Sequence, residues 1–291
     1  MFYTLENAYI KLTVNSLGAE KFSIVGKKTN LEFLWNGDKT HWRNRAPVLF
    51  PIVGRLFNGV CRIDGSEYKM DCHGFAQVSE FTALSQNNDS IVLEITANDV
   101  TKQVYPYDFK FRVAYQLDDN DIIVRYDVEN TGGVDMIFAV GAHPGFMCPL
   151  VNGEAFTDYY LEFSEAETAD ILRVRADGYF EEGSIPFLND EKIIPLHYDL
   201  FKNDALVFHK LRSDTICLKS KKSGAYVKVN YAGFNYLGIW TRADAPYVCI
   251  EPWTSLGDYH GYNGEFMKKP GMSVLQPGSV YSVNHTVSLY E

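Results

Sequence analysis

Four short stretches set an ionisable side chain beside glycine or proline inside an otherwise apolar run. They are Ala46 to Arg55 (APVLFPIVGR), Cys72-His73-Gly74-Phe75, Val140 to Phe146 (VGAHPGF) and Tyr247 to Trp253 (YVCIEPW). Glycine next to such a group lets a ligand approach the backbone closely, and local breaks in a hydrophobic pattern are expected where function overrides packing. Glu251 follows four largely apolar residues and precedes Pro252 and Trp253, which places it at the end of a buried strand. A carboxylate there must be hydrogen-bonded or at work, because burying it unpaired is costly. It is either a general base raised by partial desolvation or half of a structural ion pair with an arginine. His143 is the acid candidate. To serve near neutral pH it must be protonated, which calls for a nearby carboxylate to lift it above about 6.5. His73, followed by Gly74 and Phe75, invites the same two readings: acid-base group or structural hydrogen-bonder. Arg55 ends an apolar stretch just after Gly54, a placement suited to a donor fork aimed at hydroxyls or a carboxylate, or to an ordinary ion pair. Asp204 by itself reads as a turn aspartate. Trp42, Trp240 and Trp253 offer flat faces for a sugar ring, or simply core.

Other chemistries lack their patterns. There is no HExxH, HxH or CxxC, and Cys72 and His73, taken as neighbours in a strand, point to opposite faces, so no metal site is expected. Neither a G-x-S-x-G elbow nor a glycine-rich phosphate loop occurs.

Strands must position these residues, because alternation with period two recurs from end to end. Ile10, Leu12 and Val14 share a face. Phe109 to Leu117 and Ile122 to Val128 alternate on either side of the polar turn Asp118 to Asp121, predicting a long hairpin. A second hairpin is predicted from Thr215 to Lys219 and Tyr226 to Val229, with shorter strands at 22–25, 81–84, 91–96, 236–240 and 247–250. Helical spacing is almost absent, and 19 Tyr with 19 Phe suit a pleated, aromatic interior. The expected class is all-β: one large antiparallel β-sandwich spanning residues 1–291, with no linker, low-complexity tract or repeat to mark a boundary.

At 291 residues and 46% hydrophobic, the chain has ample material for a core. Its net charge of -10 argues against a nucleic-acid or anionic-membrane surface, so an anionic ligand would need a local basic pocket. Five scattered cysteines fit reduced thiols, and neither a leader peptide nor an apolar run long enough for a span is evident, so a cytoplasmic location is expected.

Together the segments resemble the aldose 1-epimerase (galactose mutarotase) family, in particular its LacX-like branch, which lies near the hexose-6-phosphate mutarotases. The resemblance runs over nearly the whole chain, through Leu17 to Glu20, Phe50 to Arg55, His73 to Ala76, Tyr105 to Phe109, Gly141 to Phe146, Cys249 to Trp253 and Leu275 to Gly278. It implies a galactose mutarotase-like supersandwich with an open sugar cleft, no cofactor, and interconversion of α and β anomers. By this resemblance Glu251 removes the anomeric hydroxyl proton and His143 protonates the ring oxygen. His73 and Arg55 orient the ring, Asp204 binds a sugar hydroxyl, and Trp240 joins the substrate-binding set. Relatives in the branch often carry arginine where this chain has Gln77, which favours a neutral sugar here. The expected partner is a small-molecule sugar, met by a monomer or homodimer. The competing readings are a hexose-6-phosphate mutarotase, a non-catalytic carbohydrate-binding sandwich and a glycoside hydrolase.

Overall fold

The structure is a computed structural model that describes residues 1–291. Its largest unit is a 15-stranded sheet. The path runs from Val48–Leu49 and Gly141–Ala142 through Tyr247–Trp253, Tyr236–Trp240, Leu206–His209 and Tyr159–Val174. It continues through Thr215–Ser220, Tyr226–Asn230, Val280–Tyr290, Asp121–Asn130, Phe109–Asp118 and Ser90–Thr96 to Thr82–Gln86, while Gly145–Met147 and Phe180–Pro195 pair off this path with Tyr247–Trp253 and Tyr159–Val174. A separate four-stranded sheet holds Phe2–Glu6, Ile10–Asn15, Glu20–Gly26 and Leu31–Glu32. Twist accumulates from strand to strand, so a sheet this wide curls. Phe50, beside the first strand of the path, stacks at 4.4 Å on Phe111, near its other end. The two ends therefore face each other across one aromatic core, whose largest cluster draws residues from Leu5 to Leu289.

The predicted hairpin is Phe109–Asp118 with Asp121–Asn130, paired in unbroken register from Phe109↔Asn130 to Asp118↔Asp121. Its odd-numbered first-strand residues are buried and its even-numbered ones are not, as period two requires. Thr215–Ser220 and Tyr226–Asn230 form the second hairpin. Helix is confined to 3-10 turns and one short α-helix, Asp99–Val104, capped by the Asn98 side chain. No helix is long and apolar enough to cross a membrane.

Two long strands, Tyr159–Val174 and Phe180–Pro195, lie outside the predicted set. Register shifts between Glu162 and Glu167, and again further along, break the alternation that would have marked them. Strand Val280–Tyr290 is also unpredicted; it buries His285 where the pattern asks for an apolar residue.

Candidate active site

Strand Tyr247–Trp253 organises the site. All seven of its residues are buried, and it pairs along one side with Tyr236–Trp240, where Gly238 stands opposite Glu251. Gly238 is required for space, because a Cβ there would lie 2.7 Å from the ring carbons of Trp253. Along the other side the strand meets two short pieces in sequence, with Gly141 opposite Trp253 and Gly145 opposite Cys249. That register leaves His143 opposite Glu251. The result is a direct approach: His143 Nε2 lies 3.2 Å from Glu251 Oε2, with the side chains 12% and 1% exposed. The approach is off hydrogen-bond geometry, and Glu251 Oε2 and His143 Nδ1 are both buried without a hydrogen-bond partner. Trp42 stacks on the His143 ring at 4.8 Å, and Trp240 stands edge-on to both.

The turn carrying His73 is not a strand. His73 and Gly74 both have positive φ, and so does Gly54, where a Cβ would sit 2.7 Å from the Gly257 Cα. Gly54 and His73 clasp each other: the His73 N–H donates to the Gly54 carbonyl at 2.9 Å, and the Gly54 N–H donates to His73 Nδ1 at 3.1 Å. With Nδ1 accepting, a neutral His73 must carry its proton on Nε2. Burial, with Arg55 adding to it, pushes the imidazole down to about 4. His73 is thereby a fixed hydrogen-bond donor rather than an acid. The expectation that Cys72 and His73 point apart is corrected here: the tight turn brings both to the cavity wall.

Glu251, His143, His73, Arg55, Asp204 and Trp240 all line one cavity of about 290 Å³. Its size sits at the lower end of small-ligand pockets, roughly 300–1,000 Å³, which suits a monosaccharide. Asp204 holds a positive φ and accepts from the Ala205 N–H at 2.7 Å. Burial raises its carboxyl, and the Ala205 N–H and Arg55 pull it back. Residues with no local signature complete the wall. Val174, Gly178 and Phe180 come from the unpredicted long hairpin, and Arg242 follows Trp240 at its strand exit.

The electrostatics differ from expectation at one point. A carboxylate does lie beside His143, but burial, reinforced by His73, holds the imidazole well below 6.5 instead of above it. Burial likewise pushes the Glu251 carboxyl well above the usual carboxylate range. Asp204 adds to that rise, while the Trp253 indole N–H, near but unaligned, opposes it. Removing two charges from water costs more than their attraction returns at this poor alignment, so each group favours its neutral form. His143, Cys249 and Glu251 also bring three potential metal-ligand atoms within 4.8 Å. Burial, followed by Glu251, drives the Cys249 thiol well above its ordinary value, away from the thiolate that a metal would need.

The chain belongs to the aldose 1-epimerase family: the model of that family, "Aldose 1-epimerase", matches residues 1–283. Among curated relatives it is 35% identical to the chromosomal protein LacX of Lactococcus lactis subsp. lactis over 286 residues, covering 95% of each chain. Among solved structures it resembles a galactose mutarotase related enzyme from Lactobacillus acidophilus, with TM-score 0.95, 34% identity, and 100% and 98% of the two chains covered. It also resembles a galactose mutarotase-like protein from Lactobacillus casei, with TM-score 0.94, 27% identity and full coverage of both chains.

Proposed function

We propose that the chain is an aldose 1-epimerase that opens and recloses the ring of a free aldose, with Glu251 as base and His143 as acid. The observation that carries this reading is the buried 3.2 Å pair, whose Glu251 Oε2 and His143 Nδ1 have no hydrogen-bond partner in the protein. Ring opening needs one proton to leave the C1 hydroxyl and one to reach the ring oxygen. Glu251 carboxylate takes the first and the His143 imidazolium gives the second. The C1–O5 bond breaks as the carbonyl forms; rotation about C1–C2 and the reverse transfers deliver the other anomer.

Proton count supports the assignment. The ion pair before opening and the neutral pair after it hold the same single proton, so the step is a transfer within the site and needs no exchange with solvent. The desolvation that disfavours the ion pair also makes Glu251 a stronger base and the imidazolium a stronger acid, both in the direction of opening. The ion pair must then be sustained by the hydroxyls of the bound sugar. His73 Nε2–H and Arg55 are donors for the ring and its oxygens, Asp204 an acceptor, and Trp240 with Trp42 an apolar wall.

The test is anomer exchange by magnetisation-transfer NMR with wild type and Glu251→Gln side by side. A positioned acid or base contributes roughly 10²–10⁴-fold, so exchange should fall by that factor in the variant while the thermal melt stays cooperative. Exchange that persists in the variant removes Glu251 as base. Sugar binding without exchange in wild type would establish the non-catalytic alternative.

A further inference from the structure

The cavity holds one charged side chain, Arg242, to which ring opening gives no role. Apart from the histidines and Cys72, its ionisable walls are Arg55, Arg242, Asp204 and Glu251. Burial favours the uncharged Glu251 carboxyl. The cavity wall then sets two guanidinium groups against the Asp204 carboxyl, in a chain whose net charge is -10. Arg55 and Arg242 are the only arginines in the cavity wall, which holds no lysine, and neither forms an ion pair, unlike Arg62, Arg112, Arg125 and Arg175 elsewhere. Arg55 shares its field with Asp204, whose carboxyl it lowers, and with His73. Arg242 shares its field with the Tyr247 hydroxyl and forms no ion pair. It is exposed, two residues past Trp240, whose ring stands edge-on to His143 at 5.7 Å. A sugar whose C1 reaches the buried pair therefore shares its cavity with an unpaired guanidinium at the exposed side of the wall.

Gln77 adds no charge to this wall. Its amide donates to the Cys72 carbonyl at 2.8 Å, so the side chain braces the His73 turn and is not part of the cavity wall.

We propose that the substrate is an aldose bearing an anionic substituent, phosphate or carboxylate, remote from C1, and that Arg242, backed by Arg55, recognises it. A guanidinium fork matches both oxyanions through paired N–H donors. The proposal rests on the mutarotase reading above. It is tested by measuring kcat/KM for anomer exchange of glucose and galactose, their 6-phosphates and their uronates, with wild type and Arg242→Gln. Charge-assisted hydrogen bonds of this kind are worth roughly tenfold to a hundredfold. Wild type should favour at least one anionic series over its neutral parent by that factor, and Arg242→Gln should bring the ratio close to one. The series with the higher ratio identifies phosphate or carboxylate as the recognised group. A wild-type ratio near one, or a high ratio unchanged in the variant, overturns the proposal while leaving the mutarotase reading standing. Absence of exchange on all six sugars sinks the mutarotase reading instead. Calorimetric titration with glucose 6-phosphate then decides the charge reader: binding that Arg242→Gln abolishes supports it, and equal or absent binding in both proteins overturns it.

Discussion

At the scale of single residues the site is governed by desolvation. Burial favours the neutral forms of both His143 and Glu251, so a further proton reaches the pair only at an imidazole held well below its ordinary 6.5. The acid limb of kcat/KM should accordingly lie below pH 6.5; a limb centred at or above that value would show that the carboxylate, not burial, dominates His143. His73 makes a separate prediction about stability. Its folded value of about 4 is below the unfolded 6.5, so between those values the unfolded chain binds a proton that the folded one refuses. Stability is then lost as pH falls from 6.5 toward 4. In His73→Asn the amide oxygen can still accept the Gly54 N–H and asparagine tolerates positive φ, so the fold should survive. Melting temperatures of the two proteins across that range should show a shallower acid loss in the variant, and parallel slopes would contradict the burial argument.

At the scale of elements, the segment that presents Arg55 is clamped from behind. The Asp258 N–H donates to the Arg55 carbonyl at 2.7 Å, and Asp258 Oδ2 accepts from the Phe57 N–H at 2.7 Å. The other oxygen, Oδ1, lies 2.5 Å from Lys269 Nζ, with side chains only 2% and 3% exposed. Removing one charge from so buried a pair leaves the other uncompensated, at a cost of about 3–5 kcal/mol. Asp258→Asn should therefore lose stability of that order in urea titration, and adding Lys269→Met should restore part of it. A loss below 1 kcal/mol would mean that the pair contributes little. The hairpin tip reaches the same place, since the Phe180 N–H donates to the Asp258 carbonyl at 3.0 Å and a Cβ on Gly178 would approach Arg55 Nε to 2.9 Å. Apart from the Asp258–Lys269 pair, these interactions link residues some eighty positions apart or more, which is why no local pattern announced them.

At the scale of the molecule, the wide sheet is closed by its latest strand. Val280–Tyr290 lies between Asp121–Asn130 and Tyr226–Asn230, paired on both sides. Val283, Val287 and Leu289 belong to the core cluster, and Glu291 accepts from the Thr29 N–H at 2.9 Å. A chain ending at residue 279 should lack cooperative unfolding, because both neighbours would expose unpaired edges and an open core. Calorimetry and amide NMR dispersion check this, and a sharp melt in the truncated chain would refute it. Pairings this distant must also close long loops before they are rewarded, so refolding should be slow, on the order of milliseconds to seconds.

What the amino-acid order alone determined follows from physics that acts between near neighbours. The strands of the 109–130 hairpin are legible because one face is buried and the side-chain period is two. The all-β class was legible for the same reason, and the segments holding Glu251, His143, His73 and Arg55 because their glycines and prolines interrupt apolar runs. Membership of the aldose 1-epimerase family was legible as a resemblance, carried by the order and spacing of those segments. Tertiary structure alone decided the rest. The bulged strands of 159–195 lack a steady period, and the His73 turn follows from left-handed backbone at His73 and Gly74. Antiparallel register across Tyr247–Trp253 set His143 against Glu251 and buried both, reversing the protonation expected for the histidine. Arg242 reaches the cavity only because its strand pairs with that same element. Charge, burial and ligand access are properties of surfaces assembled from distant segments, and they exist only once those segments have met.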